Sequence, residues 1–200
     1  WNRYDEYAAA FSVADGTERK QEIPVDLEDL YTDMESNLYL QEDRLFYILK
    51  ADGKMQLLQV DLQTGEVLTD LSLDDWILEQ KTYSTDSRIL LVTDRYVWVY
   101  RVEGTLSVID LESGSIKLLA ENLLMTPPVT CNEALDQVMV GVGHEVYLTT
   151  TGGRLIRRLV LGERKAVSFY FYQDQLLVLG DDGNLYRFDR LGNLLSQTSM

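Results

Sequence analysis

Histidine and cysteine occur once each in these 200 residues, and proline only three times. A single cysteine, Cys131, excludes an intramolecular disulfide framework and any multi-cysteine zinc or iron–sulfur site. Its scarcity fits the reducing cytosol and equally the many bacterial surface proteins that lack disulfides. Basic residues are also short, with 18 Lys and Arg against 33 Asp and Glu, leaving a formal charge of −15. That balance disfavours nucleic acid, because phosphates must be neutralised by Lys and Arg, and no nucleic-acid partner is expected. It disfavours an anionic membrane surface for the same reason. No run of eighteen apolar residues is present, so no transmembrane helix and no direct membrane insertion are expected. A signal-peptide pattern is missing too. The chain begins at Trp1 and not at Met. The expectation is a processed product or an excised domain, placed outside the cytoplasm or on the surface of a bacterium, with the cytoplasm left open.

What is present is the composition of a folded protein, 46% hydrophobic and 26% charged. Residues 1–80 hold 19 acids and 6 bases, whereas residues 81–200 hold 14 and 12. The acidic first part reads as solvated edges and loops, or as a surface for a basic partner or cations. The main signal is a double turn. It runs from Ala51-Asp52-Gly53-Lys54 to Gln63-Thr64-Gly65, and from Val102-Glu103-Gly104-Thr105 to Glu112-Ser113-Gly114. It runs again from Asp181-Asp182-Gly183-Asn184 to Arg190-Leu191-Gly192. Glycine supplies the positive φ of tight hairpins, so paired glycines about ten residues apart read as strand, turn, strand, turn, strand.

First-turn glycines are assigned to Gly16, Gly53, Gly104, Gly153 and Gly183, and second-turn glycines to Gly65, Gly114, Gly162 and Gly192. Repetition at this pitch predicts an all-β fold: a β-propeller of about five four-stranded blade-like repeats, or an arc of a larger one. The repeats are placed at 1–35, 36–86, 87–127, 128–165 and 166–200 of a single propeller or partial propeller domain. A β-sandwich explains strands and turns but not their spacing. Helix is expected only as short turns near Asp26–Glu35 or Asp74–Gln80. The whole acidic segment Asp26–Glu42 reads as a short helix or an inter-blade loop, and a strand is expected near Ile23-Pro24-Val25.

The segments Gly104-Thr-Leu-Ser-Val-Ile-Asp-Leu-Glu-Ser-Gly114, Gly183-Asn-Leu-Tyr-Arg-Phe-Asp-Arg-Leu-Gly192 and Lys54-Met-Gln-Leu-Leu-Gln-Val-Asp-Leu-Gln-Thr-Gly65 share one pattern. In this they resemble PQQ-like and WD40-like propeller repeats. Asp61, Asp110 and Asp189 each precede the second glycine and are expected to accept hydrogen bonds from turn N–H groups. Two departures stand out. Trp1, Trp76 and Trp98 do not recur at one repeat position as a tryptophan girdle does, and of the WD40 blade dipeptides Trp-Asp is missing while Gly-His occurs once, at Gly143-His144, and does not repeat. The resemblance implies a fold, and a fold does not name an activity.

Few residues offer chemistry. His144 sits in Gly141-Val-Gly143-His144-Glu145 and reads as a turn residue, since zinc would need further nitrogen or sulfur ligands. Cys131 would be a nucleophile only beside His144, and otherwise packs as a small hydrophobe. Asp181-Asp182-Gly183-Asn184 and the group Asp70, Asp74 and Asp75 lack the ligand spacing of a calcium loop. No acidic pair has the context of a glycosidase. Arg154, Arg157, Arg158, Arg164 and Lys165 form the one basic cluster, read as an exposed outer strand, with pairing to the acidic N-terminal third of the chain as the competing reading. Alternation would put Arg154, Ile156 and Arg158 on one face and Leu155, Arg157 and Leu159 on the other. Phe169-Tyr-Phe-Tyr172 and Tyr96-Val-Trp-Val-Tyr100 read as inner strands buried on both faces.

The reading is a binding platform: a β-propeller interaction module of a larger bacterial protein that recognises a protein or a glycan. Catalytic, cofactor-binding and metal residues are expected to be none, the binding residues stay unassigned, and self-association through open blade edges is allowed. The alternative is a carbohydrate- or small-molecule-processing propeller enzyme with carboxylates at its central channel.

Overall fold

The structure, a computed structural model, describes residues 7–11, 18–22, 38–51, 54–73, 87–101 and 104–199. The chain divides into two compact units, residues 1–89 and 90–200. In the first unit, β1 (Tyr7–Phe11) pairs antiparallel with β2 (Glu18–Glu22). A four-stranded meander follows, made of β3 (Leu38–Gln41), β4 (Arg44–Ala51), β5 (Lys54–Asp61) and β6 (Val67–Ser72). The next sheet begins with β7 (Ser87–Val92), the strand in which the units divide. It continues through β8 (Tyr96–Arg101), β9 (Thr105–Asp110) and β10 (Ile116–Ala120). Two more meanders complete the second unit: β11 (Val129–Asn132), β12 (Gln137–Val142), β13 (Glu145–Thr149) and β14 (Leu155–Leu159), then β15 (Ala166–Tyr172), β16 (Gln175–Gly180), β17 (Asn184–Phe188) and β18 (Leu194–Ser199). These are blade-like sheets, and the fold is all-β.

The only helical turn among the described residues is a short 3-10 piece, Glu133–Leu135, closed by Asp136 at φ 52°. Both segments expected to carry helical turns lie outside the described residues. So do the Ile23-Pro24-Val25 strand and the turns at Gly16 and Gly53. Within Asp26–Glu42, the stretch Leu38–Gln41 is strand β3 and not helix or loop.

The turn register needs one correction. Gly153 does not lie in the hairpin between the second and third strands of its sheet; Gly143 does, between β12 and β13. Gly153 (φ 71°) joins β13 to β14 and so takes the place of Gly65, Gly114 and Gly192. Gly162 lies outside both turns, in the connection to β15. With the assignment corrected, the second-turn glycines 65, 114, 153 and 192 are separated by 49, 39 and 39 residues. The sheet geometry repeats with them. A bulge interrupts the register at the end of β5, β13 and β17, just before this turn.

Sheets of the second unit pack face to face. Trp98, Tyr100, Leu106 and Val108 meet Val138 and Val140 of the next sheet, with Leu91 completing the cluster. Met139, Val146, Leu148 and Leu159, from the opposite face of that sheet, meet Leu176, Val178, Tyr186 and Phe188. Residues alternate in strands, so one sheet serves both neighbours. Trp98, Leu148 and Phe188 are essentially buried, and each such side chain contributes ~2–3 kcal/mol of hydrophobic stabilisation. In the first unit, Leu45, Tyr47, Leu58 and Val60 form a smaller cluster. Burial pushes the Tyr47 hydroxyl up to about 12, with the Asp70 charge adding to the effect.

The run Tyr96–Tyr100 is buried along β8 as its apolar pattern predicts. The run Phe169–Tyr172 departs from expectation. It lies in β15, at an edge of its sheet, and only Phe169 and Phe171 pack against the preceding sheet. Tyr170 and Tyr172 point to the other face and are 49% and 56% exposed.

Candidate functional site

The most regular polar feature is the aspartate of the second turn. Asp61 Oδ1 accepts from the N–H groups of Gln63 (2.8 Å) and Thr64 (2.9 Å). Asp110 Oδ1 accepts from Glu112 (3.0 Å) and Ser113 (3.3 Å), and Asp189 Oδ1 from Leu191 (2.9 Å) and Asn193 (2.8 Å). Turn N–H groups hold the Asp61 carboxyl below the usual carboxylate range. The Arg95 guanidinium, with its Nη2 2.8 Å from Oδ2, does so first for Asp110, and the Asn193 side-chain amide does so first for Asp189. The fourth sheet position uses Thr150 instead. Its hydroxyl accepts from Arg154 N–H at 3.0 Å, as Asp189 does from Asn193. These groups cap turns, as their spacing implies.

Asp182, in the Asp181–Asn184 turn, is also spoken for. Burial opposes its charge, but the Asn184 N–H (3.1 Å), the Asn184 amide (2.7 Å) and the Tyr186 hydroxyl (2.9 Å) together keep its carboxyl low. Asp181 accepts from the Lys165 N–H at 3.2 Å. These hydrogen bonds build both carboxylates into the turn itself. Asp74 and Asp75 lie outside the described residues, and Asp70 is exposed on β6. Among the described residues no three His, Cys, Asp or Glu side chains gather to hold a metal. Each described carboxyl whose pKa departs from its ordinary value moves down, the direction opposite to that of a general acid working near neutrality.

His144 is exposed in the β12–β13 turn, where its carbonyl accepts from Ala166 N–H at 3.1 Å. Cys131 pairs in register with Val138 on β11, a strand not foreseen from the sequence. His144 lies beyond the far end of β12, at least about 13 Å further along the strand. The two do not form a dyad. Burial, with Glu133 and Asp136 nearby, pushes the Cys131 thiol up to about 11.

Two concavities of the second unit are lined by described residues. One, of about 320 Å3, is apolar and opens between the outer strands of neighbouring sheets, lined by Leu106, Leu119, Val140, Val142, Tyr147 and Leu155 among others. The other, of about 200 Å3, is polar and lies beside the β12–β13 turn and the chain from Arg158 to Lys165. Between β10 and β11 the segment Glu121–Pro128 presents Leu124, fully exposed, and Met125, 72% exposed. These two residues were not singled out from the sequence. The available signal was a run of three apolar residues, Leu123-Leu124-Met125, held between Asn122 and Thr126-Pro127-Pro128, outside any strand alternation. No helix among the described residues is long and apolar enough to cross a membrane.

The fold is similar to that of Sqt1 from Saccharomyces cerevisiae, at 16% identity and a TM-score of 0.58, covering 96% of this chain and 55% of that one. BamB from Moraxella catarrhalis matches at 17% identity and a TM-score of 0.48 over 98% of this chain and 59% of its own. A chain of the nidogen–laminin complex matches at 13% and 0.47 over 96% and 71%. This chain thus spans 55% of the length of Sqt1 and 59% of that of BamB. No protein-family model and no curated protein matches the sequence. The likeness extends to the fold alone, which is of the propeller type, with divergent repeats of the kind the sequence resembles.

Proposed function

We propose that this chain is a non-enzymatic β-propeller interaction module of a larger bacterial protein, and that its partner is a protein. The observation that carries the reading is the exposure of Leu124 and Met125 side by side on the Glu121–Pro128 segment. Two adjacent large apolar side chains held out in water gain about 1.5–3 kcal/mol each when a partner covers them. Large, desolvated apolar anchors are what protein interfaces are built around. Leu123, the preceding residue, is fixed: its N–H donates to the Gly104 carbonyl at 2.9 Å and its side chain joins the inter-sheet core. The pair is therefore presented from an anchored backbone, which lowers the ordering cost of binding. The turn carboxylates, engaged by N–H donors, support binding over carboxylate catalysis.

The test is site-specific photocrosslinking from position 125 in the full-length protein in its own cells, with the adduct identified by mass spectrometry. A single protein adduct, lost in Leu124→Ser/Met125→Ser, is the expected result. A protein without adducts that instead binds a glycan array or hydrolyses a glycoside would overturn the reading.

A further inference from the structure

Strand β14 is an edge strand, hydrogen-bonded to β13 on one side only. An edge strand offers a row of backbone N–H and C=O groups to any extended chain of compatible side chains. Its own side chains are unusual for this protein. Residues 154–158 read Arg-Leu-Ile-Arg-Arg, and all five are exposed, Leu155 by 59%. From His144 to Lys165 the chain carries five Lys and Arg against two Glu, a local net of +3 in a chain of −15. The strand runs directly into the second concavity, where Arg158, Arg164 and Lys165 line the wall with His144 and with two carboxylates, Glu145 and Glu163, a local excess of one positive charge.

The internal partners of these cations are few. Arg158 pairs with Glu145 at 2.5 Å, with both side chains well exposed, so the pair is worth little in water. Arg157 donates to the Asn193 side chain, and Arg164 reaches Asp182 only at 3.7 Å. Arg154 and Lys165 meet no carboxylate among the described residues. Positive charge on an edge strand repels a second copy of the same strand and so selects against self-pairing. The same charge attracts a strand of opposite sign, because opposite charges directly across a ladder stabilise it by about 0.2–1 kcal/mol per pair.

We propose that β14 is a β-augmentation site for an extended acidic segment of a partner protein. Laid antiparallel, the segment would read acid-acid-apolar-apolar-acid opposite Arg154–Arg158, with a further carboxylate reaching the Arg164–Lys165 concavity. The inference rests on the interaction-module reading and adds the chemistry of a partner, at a surface separate from Leu124 and Met125.

The probe is a fluorescent peptide with the core Glu-Glu-Val-Val-Glu, flanked by Thr and an additional Glu, titrated into the full-length protein by anisotropy. Binding that weakens with salt is expected, as is a loss of about tenfold or more in Arg154→Glu/Arg157→Glu/Arg158→Glu. The same peptide N-methylated at alternate residues tests strand addition on unaltered protein and should lose binding to a similar degree. A peptide with Lys for Glu should not bind. No binding by the acidic peptide, or binding indifferent to N-methylation or to the arginine reversals, overturns the inference. The Leu124→Ser/Met125→Ser variant keeps the two ideas separable. Peptide affinity unchanged in that variant supports a β14 site, while a crosslinked partner without peptide binding leaves the module reading standing and sinks this one.

Discussion

The indole N–H of Trp98 donates to the backbone carbonyl of Thr151 at 2.7 Å, tying the second strand of one sheet to a turn of the next. The following sheet interface repeats the device with a different side chain, since the Gln137 amide donates to the Arg190 carbonyl at 2.6 Å. Thr151 and Arg190 occupy the same place, one residue after the turn-capping Thr150 and Asp189. Thr151 is buried, so its carbonyl needs a donor, and the preceding sheet supplies it.

Trp98 should accordingly be among the most sensitive positions in the second unit. Trp98→Ala is expected to cost about 3–5 kcal/mol through lost burial and the cavity left behind. Trp98→Phe keeps much of the volume but orphans the Thr151 carbonyl, for about 1–3 kcal/mol. Urea unfolding followed by circular dichroism gives both values. A Phe variant as stable as wild type would show that the hydrogen bond contributes nothing.

Glycine substitutions should separate a tightly packed turn from an open one. Gly104 sits at φ 89°, and an added Cβ would fall 2.5 Å from the Leu123 carbonyl oxygen, a backbone atom. Gly162 sits at φ 69° with open space around it. Gly162→Ala should cost only the left-handed backbone term of about 1–2 kcal/mol, and Gly104→Ala clearly more. Equal melting temperatures for the two variants would contradict this placement of Leu123.

Stability should fall with acid. The carboxyls of Asp61, Asp110, Asp182 and Asp189 are held below their ordinary range in the folded state. Below about pH 4 the unfolded chain takes up protons that the folded chain still refuses. The contribution of these groups is therefore complete above that pH and is lost as pH falls through their lowered folded values. Asp189→Asn should flatten the acid limb of a pH–stability curve. An unchanged limb would mean that the turn hydrogen bonds do not favour the charged form.

Cys131 should be a poor nucleophile in the folded protein. With its pKa pushed up to about 11, thiolate at pH 8 is scarcer by about a hundredfold than for an ordinary cysteine. Iodoacetamide should modify it slowly in buffer and quickly in urea. Fast labelling of the folded protein would contradict the packing of β11.

Most strands were legible, because β-branched, aromatic and alternating residues declare them: the run Tyr96–Tyr100 lies in β8, which extends one residue further to Arg101. The capping role of Asp61, Asp110 and Asp189 was equally legible, since a carboxylate three or four residues before a turn glycine has few other uses. The errors were local. Thr150 replaces the expected aspartate, and Gly141, Gly143, Gly152 and Gly153 crowd one sheet, so Gly153 was assigned to the wrong turn. The bulge between Leu148 and Thr149 aligns Leu155 with Thr149, so Leu155 lines the apolar cavity with Tyr147 and does not share the face of Arg157. The basic outer strand was foreseen, but its neighbourhood with the Arg164–Lys165 concavity was not.

Amino-acid order by itself determined the all-β class and most of the strands and turns, because period-two alternation and glycine's access to positive φ act over a few residues. Tertiary structure decided which side chains a neighbouring sheet covers. The apolar runs around Trp98 and Tyr170 look alike as sequence, yet one is sealed and the other stands half in water. Burial depends on what lies across a sheet face, dozens of residues away along the chain, and no local pattern encodes it.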